Sequence, residues 1–341
     1  MQLPRDATPP RRNSNDAQWT PRGRDGVMNG RILVIKLGAL GDFVQALGPM
    51  AAIRRHHKDA RLTLLTTAPY AEIARATGWF SELWIDDRPS RWRACALLAL
   101  RRRLGDARFA RVYDLQTSRR SGLYFRLMAR PFAARPEWSG IARGCSHPHA
   151  NPRRDFLHTI DRQAEQLAMA GVSVAPRIDL SWLEADVSRF ALPRPYVLFA
   201  PAGAAHRPAK RWPAEHYGAL AARLLASGRG VALLGVSSER ATMAEIRVVA
   251  PGARDLSGAV SLAEIAALAR GASGAVGNDT GPMHLIAGSG CPSVVLFSDE
   301  SDPALCAPRA PEGARPVAIL RRAPLAALAV EDVFRALRGL K

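Results

Sequence analysis

RILVIKLGALGD, residues 31–42, reads as a buried strand that empties into a small-residue loop and then into a helix. Ile32, Leu33, Val34 and Ile35 make the apolar run, Gly38, Ala39, Leu40 and Gly41 the loop, and Asp42 opens a helix continued by Val44, Leu47 and Met50. In an open α/β sheet this strand–loop–helix edge faces ligand. The first N–H groups of such a helix have no partner within it, and the positive end of its dipole points into the cleft. Asp42 then has two readings. It caps its own helix, as acidic residues do there, or its carboxylate stands at the cleft mouth as a general base. The dinucleotide fingerprint GxGxxG is not met, since only Gly38 and Gly41 are present.

Outward from this stretch, strand-like and helix-like segments alternate. Strands are expected at 62–65, 82–86 and 112–115. Helices are expected at 71–76, 92–104, 123–128 and 158–169, the last with Ile160, Leu167 and Ala168 turned inward. The pattern restarts after a proline-containing stretch at 177–194. Strands follow at 196–200, 230–234, 275–277 and 293–297, and helices at 214–226, 241–249, 262–269, 280–287 and 330–340. Such alternation means parallel sheets covered by helices on both faces, here in two doubly wound, Rossmann-like domains facing a cleft. The expected division is 30–182, 183–329 and a final helix over 330–341. Residues 1–29, rich in Pro, Arg, Asn and Asp and without periodicity, are expected to be a disordered extension. Met28 is an alternative start.

The 341 residues carry a formal charge of +18, and 48% of them are apolar, so two domains can each bury a core. The charge is uneven: residues 88–154 hold 16 arginines and no lysine against three acidic residues, a local net of +13. Such a field attracts nucleic acid, anionic lipid headgroups or phosphorylated substrates. No apolar run is long enough to cross a membrane. Cys95, Cys145, Cys291 and Cys306 lack metal or disulfide spacing, which suits a reducing compartment.

Three further segments carry chemistry. GNDTGPMH, residues 277–284, ends one strand and opens a helix with Pro282 in its first turn. Free N–H groups near Thr280 and Gly281 would cradle a phosphate, with His284 one turn in. The plain alternative is a cap at Asp279 or Thr280 beside a surface histidine. Lys210, in KRWP, sits in a strand-to-helix loop where it can neutralise a diphosphate, with Trp212 expected to pack. DLQTSRR, residues 114–120, ends a first-domain strand, and its arginines suit anion recognition through paired N–H donors as well as an exposed helix start. The loop Asp299-Glu300-Ser301-Asp302 holds carboxylates that favour hard cations, but an ordinary polar loop fits it better.

Together KLGALGD, DLQTSRR, KRWP and NDTGPMH, in that order, resemble glycosyltransferase family 9, the lipopolysaccharide heptosyltransferases, over residues 31–340. The resemblance implies a GT-B architecture with acceptor on the first domain, nucleotide sugar on the second, and a last helix returning to the first. It implies inverting, metal-independent transfer of a heptose from an ADP-activated donor to the inner core of lipopolysaccharide, with no cofactor. On it, Asp42 is the catalytic base. Lys210, Asp279, Thr280, Gly281 and His284 meet the donor, with Ser237, Glu239 and Val260 nearby. Gly38, Ala39, Gly41, Gln116, Arg119 and Arg120 belong to the acceptor side. Where members carry hydroxyl residues before the lysine, this chain has Ala204-Ala205-His206.

The implied partner is a lipid-linked anionic glycan, met by a cytoplasmic enzyme peripheral to the inner face of the inner membrane, without specific nucleic acid. A transferase using another nucleotide sugar and surface glycan is the alternative within this class, and a non-catalytic relative that only binds the donor is another. A basic nucleic-acid-binding protein is the alternative of another class, without zinc motif or aromatic interleaving to support it. A nicotinamide oxidoreductase is disfavoured by the missing fingerprint.

Overall fold

The computed structural model describes residues 30–87, 94–129, 135–173, 178–203 and 206–340. The extension expected at 1–29, the start of the helix expected at 92 and Ala204-Ala205 lie outside the described residues. The chain runs β1 (Arg31–Ile35), α1 (Leu40–His56), β2 (Arg61–Thr66), α2 (Ala71–Ala76), β3 (Glu82–Ile85), α3 (Ala94–Asp106), β4 (Arg111–Asp114), α4 (Arg119–Leu127), β5 (Glu137–Gly140), β6 (His147–Pro148) and α5 (Thr159–Met169). It continues with β7 (Tyr196–Ala200), α6 (Ala214–Ala226), β8 (Gly230–Leu233), α7 (Arg240–Val249), β9 (Arg254–Asp255), α8 (Leu262–Gly271), β10 (Gly274–Asn278), α9 (Gly281–Gly288), β11 (Ser293–Phe297), α10 (Pro303–Cys306), β12 (Val317–Arg321) and α11 (Val330–Gly339).

These strands form two six-stranded parallel sheets, ordered β3-β2-β1-β4-β5-β6 and β12-β11-β10-β7-β8-β9. Each is doubly wound, and the pair makes the GT-B architecture. The order reverses beside β1 in the first sheet and beside β7 in the second, so the loops after β1, β4, β7 and β10 flank the switch points where ligands bind. Strands β1 and β7 have burial on both faces, which is why their sequences are continuous apolar runs rather than alternating ones.

The outer faces of the sheets have their own cores, one around Trp138 and Tyr124, the other around Trp212 and Leu224. The inner faces share one. A single apolar cluster runs from Ile32 and Met50 of the first half to Leu198, Leu285 and Ile286 of the second. It is continuous because α1 packs directly against α9.

Two glycines set that crossing. A methyl group on Gly41 would lie 2.6 Å from the His284 ring, and one on Gly281 would lie 2.6 Å from Leu40 Cβ. Each helix has in its first turn a residue lacking a side chain where the other helix inserts one, so both N-termini reach the same point.

Several expectations need correction. Helix α1 opens at Leu40, not Asp42: Ala39 is extended and its carbonyl accepts from the Phe43 N–H at 2.9 Å, closing the first turn two residues earlier. In α5, Ala168 is exposed, while Gln163 and Gln166 are buried beside Leu167, because that side of the helix covers polar groups at the ends of β4 and β5. Helix α11 does not return to the first domain. Val333, Phe334 and Leu337 pack with Trp212 and Leu224 on the outer face of the second sheet, beside α6. Its apolar stripe finds the nearest open face, the one its own strand β12 borders.

The crossing predicts the cost of filling it. Gly281→Ala should destabilise the protein by about 1–3 kcal/mol through overpacking, measured by denaturant unfolding. An unchanged midpoint would mean that the two N-termini are not held this tightly.

Candidate active site

On the second-domain side, the wall of the site is sewn together by Asn278, the fully buried last residue of β10. Its Nδ2 donates to Pro201 O (2.6 Å), and its Oδ1 accepts from Trp212 N (3.1 Å) and Tyr217 Oη (3.0 Å). One side chain therefore fixes the loop after β7 and the segment carrying Lys210 against the end of β10. Trp212 packs, as its sequence context predicts, and donates its ring N–H to Leu328 O at 2.9 Å.

Beyond Asn278, Asp279 Oδ2 accepts from Lys210 Nζ at 2.6 Å and from Ser301 Oγ at 2.8 Å. Thr280 is the residue before α9, yet its side chain makes no capping bond, and its Oγ1 is buried without a partner among the described residues. The plain-cap alternative fails there.

Lys210, Asp279, Thr280 and Gly281 floor a cavity of about 460 Å³. Leu234, Val236, Val260, Leu262 and Ile265 give it an apolar side, and Leu40 reaches in from the first domain. Val236 stands 58% exposed at its lip, the sort of uncovered apolar surface a flat ring would cover. Glu239 lines the cavity and holds its loop by accepting the Val236 N–H at 2.9 Å. Ser237 belongs to that loop without lining the cavity.

On the first-domain side, Asp42 is half-buried in the first turn of α1, and its carboxylate has no hydrogen bond or ion pair among the described residues. It does not cap its helix. It borders a second, smaller cavity of about 60 Å³, polar in character, with Lys36, Gln116, Thr117, Arg154 and Arg162. Lys36 is buried and donates to Leu115 O at 3.1 Å. Burial pushes its pKa down, opposed by the nearby carboxylates of Asp42 and Asp114.

Asp114, also buried, is pushed up to about 6 by loss of hydration. Its Oδ1 accepts the N–H groups of Gln116 (3.1 Å) and Thr117 (2.9 Å). This holds Thr117 in the left-handed region at φ +42°, a strained conformation for a β-branched residue. Gln116 in turn accepts the Leu37 N–H at 2.8 Å, tying the loops after β1 and β4 together.

The expected acceptor residues divide. Asp42 and Gln116 line the polar cavity. Gly38, Ala39 and Gly41 shape the loop beside it; Gly38 has φ +114° and Tyr70 lies 2.6 Å from where a methyl group would stand. Arg120 has a different role: its guanidinium grips both carboxylate oxygens of Asp86 at 2.9 Å and also meets Tyr124. Arg119 is exposed on α4 and does not line the cavity. Lys36, Arg154 and Arg162 were not singled out by the motifs. Lys36 directly follows β1, which is a usable signal; the two arginines were hidden in a stretch where arginine is common. Asp302 uses its carboxylate to accept the Ala304 N–H at 3.0 Å, capping α10.

His284 stands between the two cavities, in the α1–α9 crossing. It is 6% exposed, and Gln45 Nε2 lies 2.9 Å from its Nδ1. Burial lowers its pKa to about 4, with Asp279 and Asp42 pulling upward and His158 and Lys210 downward. The carboxylate of the first half, the ion pair of the second and this imidazole are thus one electrostatic cluster.

Comparison with known proteins gives consistent results. The sequence model of glycosyltransferase family 9 (heptosyltransferase) matches residues 97–314, more than half of the chain. A lipooligosaccharide heptosyltransferase 2 of Haemophilus influenzae is 36% identical over 113 residues, a match that spans 32% of either protein. A family 9 glycosyl transferase structure from Veillonella parvula superposes with a TM-score of 0.74 at 18% identity, covering 91% of this chain and 97% of the other. The structure of Escherichia coli ADP-heptose lps heptosyltransferase II gives 0.72 at 22%, covering 91% and 98%. At these identities the two structures speak to the fold.

The buried ionisable groups predict a pH dependence of stability. His284 and His57 both have pKa values near 4 when folded and 6.5 when unfolded, so between those values only the unfolded chain binds their protons. Stability should therefore fall as pH drops from 6.5 toward 4. Asp114 acts oppositely, since the folded chain holds its proton from about 6 downward and the unfolded chain only from 3.8; two imidazoles outweigh one carboxyl. Denaturant midpoints measured across this range check it, and His57→Gln should flatten the slope.

Proposed function

The chain belongs to glycosyltransferase family 9 (heptosyltransferase), and from that premise we propose that it moves a heptose from an ADP-activated donor onto the inner core of lipopolysaccharide, with inversion and with Asp42 as general base. The observation that carries this is the position of a carboxylate at one helix N-terminus, without a hydrogen bond or ion pair among the described residues, where α1 packs against α9, whose own N-terminus stands beside the Lys210–Asp279 pair of the other domain. In a displacement, the acceptor hydroxyl attacks the anomeric carbon and its proton passes to Asp42. The bond from that carbon to the diphosphate oxygen breaks, and the nucleoside diphosphate leaves on the opposite face.

Charge then builds on the departing diphosphate. Lys210 and the N-terminus of α9 at Thr280 and Gly281 are placed to stabilise it, with fixed donors that need no reorganisation. The 460 Å³ cavity suits the donor: an apolar side for a base, the Lys210 ammonium and the α9 N-terminus for phosphates, and Thr280 Oγ1 without a partner among the described residues. An ADP-linked heptose is favoured by the likeness to the Escherichia coli ADP-heptose lps heptosyltransferase II. Lys36, Arg154 and Arg162 suit an anionic acceptor on the first-domain side. No helix among the described residues is long and apolar enough to cross a membrane. The excess of arginine in the first half supports peripheral attachment to the anionic inner face of the inner membrane.

Asp42→Asn should lower turnover by roughly 10²–10⁴-fold while leaving donor affinity nearly unchanged; near-normal turnover removes Asp42 from this role. Lys210→Met should weaken nucleotide binding at least about tenfold, read by calorimetry, since charge-assisted bonds to phosphate are lost. Thermal protection by ADP but not by UDP or GDP, at equal concentration, supports the base assignment. Equal protection by all three overturns it.

A further inference from the structure

We propose that Gln45 is a positioning residue, which fixes His284 as the neutral tautomer with its proton on Nε2 and does so through a contact that exists only when the two domains are closed on each other. This rests on the proposed transfer and on the expectation that His284 meets the donor. Gln45 lies one turn after Asp42 on α1. Its Nε2 meets two groups of the second domain, His284 Nδ1 at 2.9 Å and Cys306 O at 3.3 Å.

A carbonyl oxygen only accepts, so the amide nitrogen must face Cys306. Turned over, the amide would set its own oxygen against that carbonyl. The nitrogen then donates to His284 Nδ1 as well, and a ring nitrogen that accepts carries no proton. In a neutral imidazole the proton is therefore on Nε2. Nε2 makes no hydrogen bond among the described residues, and the ring edge that carries it lies against Gly41, where the missing side chain leaves it room. The result is an uncharged N–H donor held beside Gly41 in the α1–α9 crossing.

The groups facing His284 make this control necessary. Asp42 from α1 and Asp279 from the loop before α9 favour an imidazolium. Lys210 and, from α5, His158 oppose it, and burial opposes it most. A donor at Nδ1 works with burial, so the ring stays neutral beside two carboxylates.

The Cys306 contact is part of a larger clasp. Three consecutive carbonyls at the end of α10 are each met by a first-domain side chain. Leu305 O accepts from Thr159 Oγ1 (3.3 Å), Cys306 O from Gln45 Nε2 (3.3 Å), and Ala307 O from His158 Nε2 (3.0 Å). Arg309 closes the row, its two terminal nitrogens each 2.7 Å from an oxygen of Asp161. A short helix leaves its last carbonyls without partners, and here the other domain supplies them. The same loop sends Ser301 to Asp279. Closure thus orients the Gln45 amide, and the amide orients the imidazole.

The test begins without substrate. In the full-length protein labelled with 15N at its eight histidines, the His284 signal, assigned by its loss in His284→Gln, should show a protonated Nε2 and an unprotonated Nδ1 from about pH 5.5 to 8. A proton on Nδ1 overturns the proposal. Gln45→Glu replaces the donor with an acceptor of the same shape. It should move the proton to Nδ1, hold the imidazolium to higher pH and shift the acid limb of the turnover profile upward. Gln45→Met should lower kcat about tenfold or more with donor KM and Tm nearly kept. Wild-type tautomer and pH profile in Gln45→Glu would also overturn it. The expected tautomer in a protein that transfers no ADP-, UDP- or GDP-sugar would uphold this assignment and sink the transferase reading instead.

Discussion

Everything at this site depends on two helix N-termini being brought to one point. Helices normally keep 8–10 Å between their axes because side chains intervene. Here Gly41 and Gly281 remove the obstruction at the two places where His284 and Leu40 insert. The same crossing welds the inner cores of both sheets into one apolar cluster. Apolar burial, at about 25 cal/mol per Å², thus holds the two halves together without calling on the polar groups of the cleft. Those groups can then be arranged for chemistry.

The two cavities on either side of the crossing are unlike. The second-domain cavity is walled by aliphatic side chains and floored by a lysine–aspartate pair, whereas the first-domain cavity is small and almost wholly polar. On the proposed function, a base and a diphosphate would suit the former and a hydroxylated, charged sugar the latter, with transfer at the wall between them. Asp42 and His284 are in that wall. Their electrostatic coupling is a consequence of the crossing, since the residues lie far apart in sequence and meet only because α1 abuts α9.

Much of this was legible beforehand. The runs at 196–200 and 293–297 are continuous apolar segments bounded by turn residues, and both are strands with those limits. The motifs around Asp42, Lys210 and Thr280 each lie in a strand-to-helix connection beside a switch point, so their placement at the cleft edge of the sheets follows from doubly wound topology. What stayed hidden was set by tertiary partners. Gln45 and Gln166 look like surface positions, and their burial becomes visible only with the carbonyls and imidazole that satisfy them. Arg120 has the composition of a ligand contact, yet Asp86, remote in sequence, takes it. The two-residue strands β6 and β9 carry too few side chains for periodicity to register. The last helix has a clear apolar stripe, but a stripe does not say which sheet it will cover.

The Lys210–Asp279 pair sharpens the functional argument. Both side chains are nearly buried, at 13% and 10% exposure, and an ion pair so placed loses in hydration much of what it gains in attraction. As a device for stability alone it is a poor choice. Its geometry fits the proposed function better: Asp279, itself held by Ser301, keeps the lysine in the cavity floor beside the N-terminus of α9. On the proposed function, a diphosphate entering there would add negative charge that the ammonium is already positioned to meet, so the cost of desolvating and aiming that cation would fall on the folding of the protein, not on the transition state.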